Sequence, residues 1–189
     1  MKIKFNSPYP LIAPIPAGVI AVASPQSGDN LITLAWLGVA CSEPPCVSIA
    51  IRRDQRHSFH IIHENPEFTV NIAQMEQIKA VDLCGTLHGD KIDKWSAAGL
   101  TRAESSVVSV PMVEEFPINL ECKVIGTHIL GTHELFIGEV VATHADESVL
   151  TDGKLDMSRF SPPAYIPNAS KYFPIDTREP LGGYGFTKK

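Results

Sequence analysis

Two apolar runs joined by a tight turn set the strongest constraint on this chain. Ala17 to Ala23 and Leu31 to Ala40 are both rich in apolar residues, and Gln26-Ser27-Gly28-Asp29-Asn30 between them is turn chemistry throughout. That link is too short for the helical crossover that parallel neighbours need, so a doubly wound parallel sheet is disfavoured from the outset. The first run reads as a buried strand and the second as another, apolar on both faces.

The rest of the chain keeps to the same style. Pro44-Pro45 breaks it, and Val47-Ser48-Ile49-Ala50-Ile51 alternates β-branched and small residues as a third strand. Arg52 to His57 is a charged turn, after which Ser58 is placed to cap a short helix, Phe59 to Glu64, stopped by Asn65-Pro66. Phe68 to Ile72 is a fourth strand. Met75 to Cys84 has helical composition with Gly85 as its C-cap, and Asp93 to Ala98 adds one more turn. Ile118 to Ile129 and His133 to His144 are two long β-rich runs around Leu130-Gly131-Thr132, a hairpin. Asn119, Glu121 and Lys123 alternate with Leu120, Cys122 and Val124, which predicts one wet face on that strand. Six or seven strands with two or three short helices predict a mainly β fold with short helices, a barrel with inserted helices. The chain is expected to be one domain over residues 1–189. A Pro-rich extended arm covers residues 1–15. A tail over 161–189 carries too many aromatics for a disordered segment, so it is expected to pack on its own domain or on a second subunit.

Composition removes several classes of function. With 16 Lys+Arg against 21 Asp+Glu the net charge is −5, which argues against a general nucleic-acid binder. The longest mostly apolar run, Leu31 to Cys41, is well short of the roughly 18–20 residues of a membrane span. Prolines 8, 10, 14 and 16 interrupt the N-terminal candidate for a signal peptide, so a cytoplasmic protein is expected. Cys41, Cys46, Cys84 and Cys122 form no C-x-x-C pair, and reduced, partly buried thiols are expected rather than zinc ligands. No G-x-G-x-x-G, P-loop, G-x-S-x-G or H-E-x-x-H occurs. His57, His60 and His63 fan out around a helix, since each step of three turns the face by about 60°, so the three do not meet one metal ion easily.

The segments with chemical promise are few. Arg52-Arg53-Asp54-Gln55-Arg56-His57-Ser58 runs from a strand into a helix N-terminus, where free N–H groups, the helix dipole and guanidiniums favour an anion. A solvated basic turn is the bland alternative. Lys91-Ile92-Asp93-Lys94-Trp95 gives a second basic spot beside an aromatic. Asn30-Leu31-Ile32-Thr33-Leu34-Ala35-Trp36 sets hydrogen-bonding side chains before a flat aromatic. In Gly131-Thr132-His133-Glu134-Leu135-Phe136-Ile137-Gly138, a histidine opens a strand, and a glycine inside it costs stability unless something approaches closely or the strand bends.

In this order, the segments resemble the flavin reductase-like family, in its flavoredoxin and ferric-reductase-like branch. The resemblance runs from about Pro16 to Tyr165. It rests on Asn30-x-x-Thr33-x-Ala35-Trp36, on Pro44-Pro45 before the third strand, and on the Arg-rich turn ending at His57-Ser58. It continues through Phe68-x-Val70-Asn71-Ile72, Cys84-Gly85, Gly89-x-Lys91-x-Asp93-Lys94-Trp95 and the 131–140 segment. His88 stands where many relatives have serine, and Trp95 replaces the commoner phenylalanine.

The resemblance implies an FMN-binding split β-barrel, usually a homodimer with the flavin near the subunit interface. Electrons come from NADH, NADPH or a protein donor and pass to free flavin, ferric iron or a redox protein partner. It implies the FMN phosphate at His57-Ser58 with Arg53 or Arg56 and Lys94 nearby. Asn30, Thr33, Ala35 and Trp36 would line the isoalloxazine, Cys41 would face the ring and Tyr165 would cover one side. His133 is implied at the pyrimidine edge, as the residue taking part in the redox chemistry. An electron carrier of flavoredoxin type without its own nicotinamide site, a pyridoxamine-phosphate-oxidase-like FMN enzyme and a barrel that binds a partner and no flavin stay open as alternatives.

Overall fold

Which strands the chain lays side by side follows from where it can bury both faces of its apolar runs. The computed structural model describes residues 1–175. It begins with β1 (Ile15–Pro16), β2 (Gly18–Ser24), β3 (Gly28–Leu34), β4 (Leu37–Ser42) and β5 (Pro45–Arg52), then α1 (His57–Glu64) and β6 (Glu67–Ile72). Helices α2 (Ile78–Thr86) and α3 (Lys94–Ala98) follow, then β7 (Arg102–Ala103) and β8 (Met112–Val113). The long pair β9 (Ile118–Leu130) and β10 (His133–Ala145) comes next, and the short strands β11 (Leu150–Thr151), β12 (Lys154–Leu155), β13 (Pro163–Ile166) and β14 (Lys171–Pro174) end the order. Among the described residues, no helix is long and apolar enough to cross a membrane.

Seven strands form one sheet in the order β3-β2-β6-β9-β10-β5-β4, with antiparallel neighbours. The single strand expected over Leu31–Ala40 is two, and they lie at opposite edges of this sheet. Only Ala35 and Trp36 join them. Seven flat strands would put those edges roughly 29 Å apart, at about 4.8 Å per step. From Leu34 to Leu37 the chain reaches at most about 11 Å. The sheet must therefore curl until its edges nearly meet. The Trp36 carbonyl accepts from the Ala50 N–H at 2.9 Å and anchors the crossing beside β5. The result is a barrel left split along the β3 edge.

Strand alternation fills the barrel and clothes it. On β2, Ile20 and Val22 point inward with Ile32, Ile49, Ile51, Phe68, Val70 and Phe136, and Phe59, Ile61 and Ile62 of α1 plug the same core. Val19 and Ala21 point outward, where Val81 and Cys84 of α2, Trp95 of α3 and Val108, Val110 and Phe116 cover them. Both faces are buried, so the run reads as continuously apolar. Gly138 is the strand glycine expected to mark a close approach. The Phe68 ring lies where its side chain would be, and the β9–β10 register slips between Ile137 and Gly138.

Three local expectations are corrected. The helix expected over Met75–Cys84 with Gly85 as its C-cap starts at Ile78 and runs through Gly85 to Thr86, with Leu87 as the C-cap. The expected wet face of β9 is wet only at Lys123, which is exposed, while Asn119 and Glu121 are buried beneath the 105–113 segment. Glu121 accepts from Ser106, Val107 and Val108 N–H groups and lies 2.7 Å from His144. Burial would raise its carboxyl, but the Ser106, Val108 and His144 hydrogen bonds bring it down to about 2. Ser58 does not cap α1. The helix begins at His57, Arg56 is the N-cap residue and no side chain caps it. In the tail, β13 packs on its own chain, pairing β1 and β14, while the rest of the expectation for 161–189, from 176 onward, lies outside the described residues.

Candidate functional site

The split leaves a cleft of about 370 Å³ between the two sheet edges, a size suited to a small organic ligand. Its floor is Ile32, Thr33, Leu34, Ala35 and Trp36, with Ala50 and Arg52 from β5 and His133 from β10. Gly85 and Thr86 at the end of α2, Asp82, Tyr165 and Tyr172 complete it. A smaller cleft adjoins it at the start of α1, lined by Asn30, Gln55, Arg56, His57, Ser58, His88, Gly89 and Lys94. Ile32 and Arg56 border both.

The large cleft carries flat surfaces. Trp36 is about half exposed, and its ring stacks on His133 with centroids 5.7 Å apart and planes 15° from parallel. Burial, and then the charge of Arg52 opposite it in the sheet, lowers the His133 pKa below its ordinary value, so the ring is neutral at pH 7. Its Nδ1 lies 2.9 Å from the Thr132 hydroxyl. Across the cleft Tyr165 packs against Tyr172 with centroids 5.1 Å apart. Burial, Asp82 and Tyr165 push the Tyr172 phenol up to about 12. Thr33 lines the cleft, but its hydroxyl donates to the Val81 carbonyl and ties β3 to α2.

The small cleft gathers hydrogen-bond donors. It opens at the N-terminus of α1, where early N–H groups lack helical partners. Beneath it Asn30 Nδ2 donates to Ser58 Oγ at 2.8 Å, both residues being buried. Gly89 lies directly on that Asn30 amide, and any side chain there would overlap it. Lys94 is buried, and its Nζ donates to the Leu31 and Cys84 carbonyls at 2.8 and 2.7 Å. Burial lowers its pKa to about 8, opposed by Cys84 and aided by Arg56, so it keeps its charge at pH 7. One of its three N–H donors is left over from those two bonds.

Of the residues expected at a site, ten line these two clefts: Asn30, Thr33, Ala35, Trp36, Arg56, His57, Ser58, Lys94, His133 and Tyr165. Two do not. Arg53 lines neither; its Nε is buried with no hydrogen-bond partner and its backbone N–H is bonded to the Thr132 carbonyl. Cys41 is exposed at the far end of edge strand β4, opposite Cys46. Cys46 lies four residues along β5 from the nearest cleft residue of that strand, Ala50, roughly 13 Å at the usual rise per residue. Sequence reasoning does not single out Arg52, Asp82 or Tyr172. Arg52 was within reach, because the alternation of β5 continues through it and sets it on the face of Ala50. Asp82 and Tyr172 come from distant elements, and no local pattern marks them. Of the three helical histidines, His57 lines the small cleft, while His63 lies 3.2 Å from the buried Glu134 carboxylate.

Known proteins resemble this chain in sequence and in fold. Residues 12–166 match the family described as flavin reductase like domain. An uncharacterized protein of Archaeoglobus fulgidus is 34% identical over 144 residues, 76% of this chain and 80% of that one. The solved flavoredoxin of Desulfovibrio vulgaris (Miyazaki F) superposes with a TM-score of 0.91 at 29% identity, all of each chain being covered. An FMN-binding protein from Thermus thermophilus, 20% identical with a TM-score of 0.80 over 97% of this chain and 99% of its own, shares the fold.

Proposed function

The chain belongs to the flavin reductase-like domain family, and on that premise we propose that it binds FMN across the two clefts and works as an FMN-dependent oxidoreductase. One observation carries the reading: a cleft walled by the stacked Trp36 and His133 runs into an anion-ready cleft at the start of α1, with Arg56 bordering both. A flat ring system ending in a phosphate has that outline. The donors also fit a phosphate in kind, since the Arg56 guanidinium, the spare Lys94 N–H and the α1 N–H groups are charged or dipole-aligned donors.

Bound FMN would supply the electron-transfer chemistry itself. The protein residues hold and orient it. Arg56, Lys94 and the first turn of α1 would hold the phosphate, while Thr33, Ala35, Trp36 and Tyr165 would fix the ring. His133, neutral at pH 7, would offer a hydrogen bond that strengthens as negative charge grows on the ring's pyrimidine edge. NADH, NADPH or a protein donor would deliver electrons, and free flavin, ferric iron or a redox partner would receive them. The likeness to a flavoredoxin keeps the carrier role without a nicotinamide site as the second reading.

A homodimer fits the same surface. Ile129 and Leu130 are exposed at the tip of the β9–β10 hairpin, next to His133, and Trp36 is exposed beside them in the cleft. A second copy covering these would exclude water from the ring. Light scattering at the mass of one chain would remove the dimer.

The deciding experiment is the visible spectrum of the purified protein with added FMN, before and after NADH or NADPH under anaerobic conditions. A flavin spectrum that bleaches supports the oxidoreductase. A bound spectrum that bleaches only with a reduced protein donor supports the carrier, and a protein that never takes up FMN defeats both.

A further inference from the structure

Outside the lining of both clefts, two cysteines face each other across a hairpin. Cys41 on β4 pairs directly with Cys46 on β5, one step in from the Ser42–Pro45 pair beside the turn. Directly opposed residues carry their Cβ atoms about 4.5–5.5 Å apart, and a disulfide needs about 3.5–4.5 Å, so a small shift suffices. The strand able to make that shift is β4, a sheet edge whose register with β5 slips between Val39 and Cys41. Both thiols also lean on the same turn: Cys41 Sγ donates to the Glu43 carbonyl and Cys46 Sγ to the Pro44 carbonyl, each at 3.4 Å.

We propose that Cys41 and Cys46 are a thiol–disulfide exchange site whose substrate is a low-molecular-weight disulfide such as oxidised glutathione. The two thiols differ in the way such a pair requires. Cys41 is exposed, whereas Cys46 is 4% exposed. Burial, with Cys41 and Glu139 beside it, raises the Cys46 pKa and keeps that thiol protonated at pH 7. Entry is therefore through Cys41. Its thiolate attacks one sulfur of the substrate disulfide, the S–S bond breaks, and one molecule of thiol leaves. Cys46 then loses its proton and attacks the Cys41 sulfur. The second thiol leaves, and the Cys41–Cys46 disulfide remains. The two protein thiols are oxidised and one substrate disulfide is reduced to two thiols. Cys84 and Cys122 take no part, because they are fully buried and burial pushes them up to about 11 and about 12.

The test uses the full chain, reduced and then equilibrated with reduced and oxidised glutathione in varied ratio. It is quenched with acid, alkylated and mapped by mass spectrometry. Cys41 and Cys46 should lose alkylation together, as one intramolecular 41–46 link that dithiothreitol reverses. Cys46→Ser should instead accumulate a stable glutathione adduct on Cys41, and Cys41→Ser should leave Cys46 unmodified. Serine is nearly isosteric at both positions, and the wild-type arm decides the matter even if a variant misfolds. Thiols that stay reduced in oxidised glutathione, an adduct on Cys41 that the wild type never resolves, or a link only between chains would each overturn the proposal.

Discussion

Arg56 offers the sharpest separation between ring and phosphate, because it borders both clefts while Arg53 borders neither. Consider Arg56→Gln, which keeps a hydrogen-bonding side chain and removes the charge. Its backbone carbonyl still accepts the Phe59 N–H at 2.9 Å, so the start of α1 is preserved. A charge-assisted hydrogen bond is worth about 1.5–3 kcal/mol. At 1.4 kcal/mol per decade, FMN affinity should fall roughly tenfold to a hundredfold. Riboflavin has the ring but no phosphate, and its affinity should change by no more than about twofold. Titrating flavin fluorescence quenching for both ligands against wild type and variant gives the two ratios. Arg53→Gln is the control, and it should leave the FMN-to-riboflavin preference as it was. Equal losses for both flavins at Arg56, or a larger preference change at Arg53 than at Arg56, would refute the placement of the phosphate at α1.

Three further perturbations follow from other parts of the fold. His133→Ala should lower the FMN reduction potential by roughly 30–65 mV, the two-electron equivalent of one hydrogen bond to charge at about 1.5–3 kcal/mol; a redox titration that overlays the wild type would take His133 out of the site. Gly138→Ala would set a Cβ 2.6 Å from Cε1 of Phe68, an overpacking that costs about 1–3 kcal/mol. Thermal melts should then shift down by roughly 2–4 °C for each kcal/mol, and an unchanged melt would mean that Phe68 yields freely. The Glu121 carboxyl sits at about 2, below its ordinary value of 4.5. Its contribution is full above that ordinary value and is lost as pH falls through the folded one. Glu121→Gln should be less stable at pH 7 and lose less between pH 5 and pH 2, and a variant whose melting temperature falls as steeply as wild type would show that other carboxylates drive the acid limb.

How far the sequence could be read depended on whether a residue's surroundings were local. Strand β5, helix α2 and the long β9–β10 hairpin are legible because alternation, helical composition and turn residues are neighbours in the chain. The break at Ala35-Trp36 is not, since both residues are apolar and nothing local distinguishes a strand from a crossing between sheet edges. Asn119 and Glu121 mark a polar face, and polarity alone does not show that the 105–113 segment folds over it. The same holds for Lys94, which the sequence marks only as part of a basic spot beside an aromatic and which the fold buries on two carbonyls. The family pattern brought ten of the expected site residues to the clefts. Arg53, just past the end of β5, and Cys41, at the turn end of β4, line neither cleft.

The joint at Ala35-Trp36 makes the circumference of the barrel and the width of the cleft a single dimension. Surface loops usually absorb inserted residues with little loss, because the extra chain bulges into water. Here an insertion would let the β3 and β4 edges drift apart, and it would move Trp36 off His133 at the same stroke. The protein can therefore lengthen at its turn near Gly131 or in its arm, but at this one point its architecture and its ligand site can change only together.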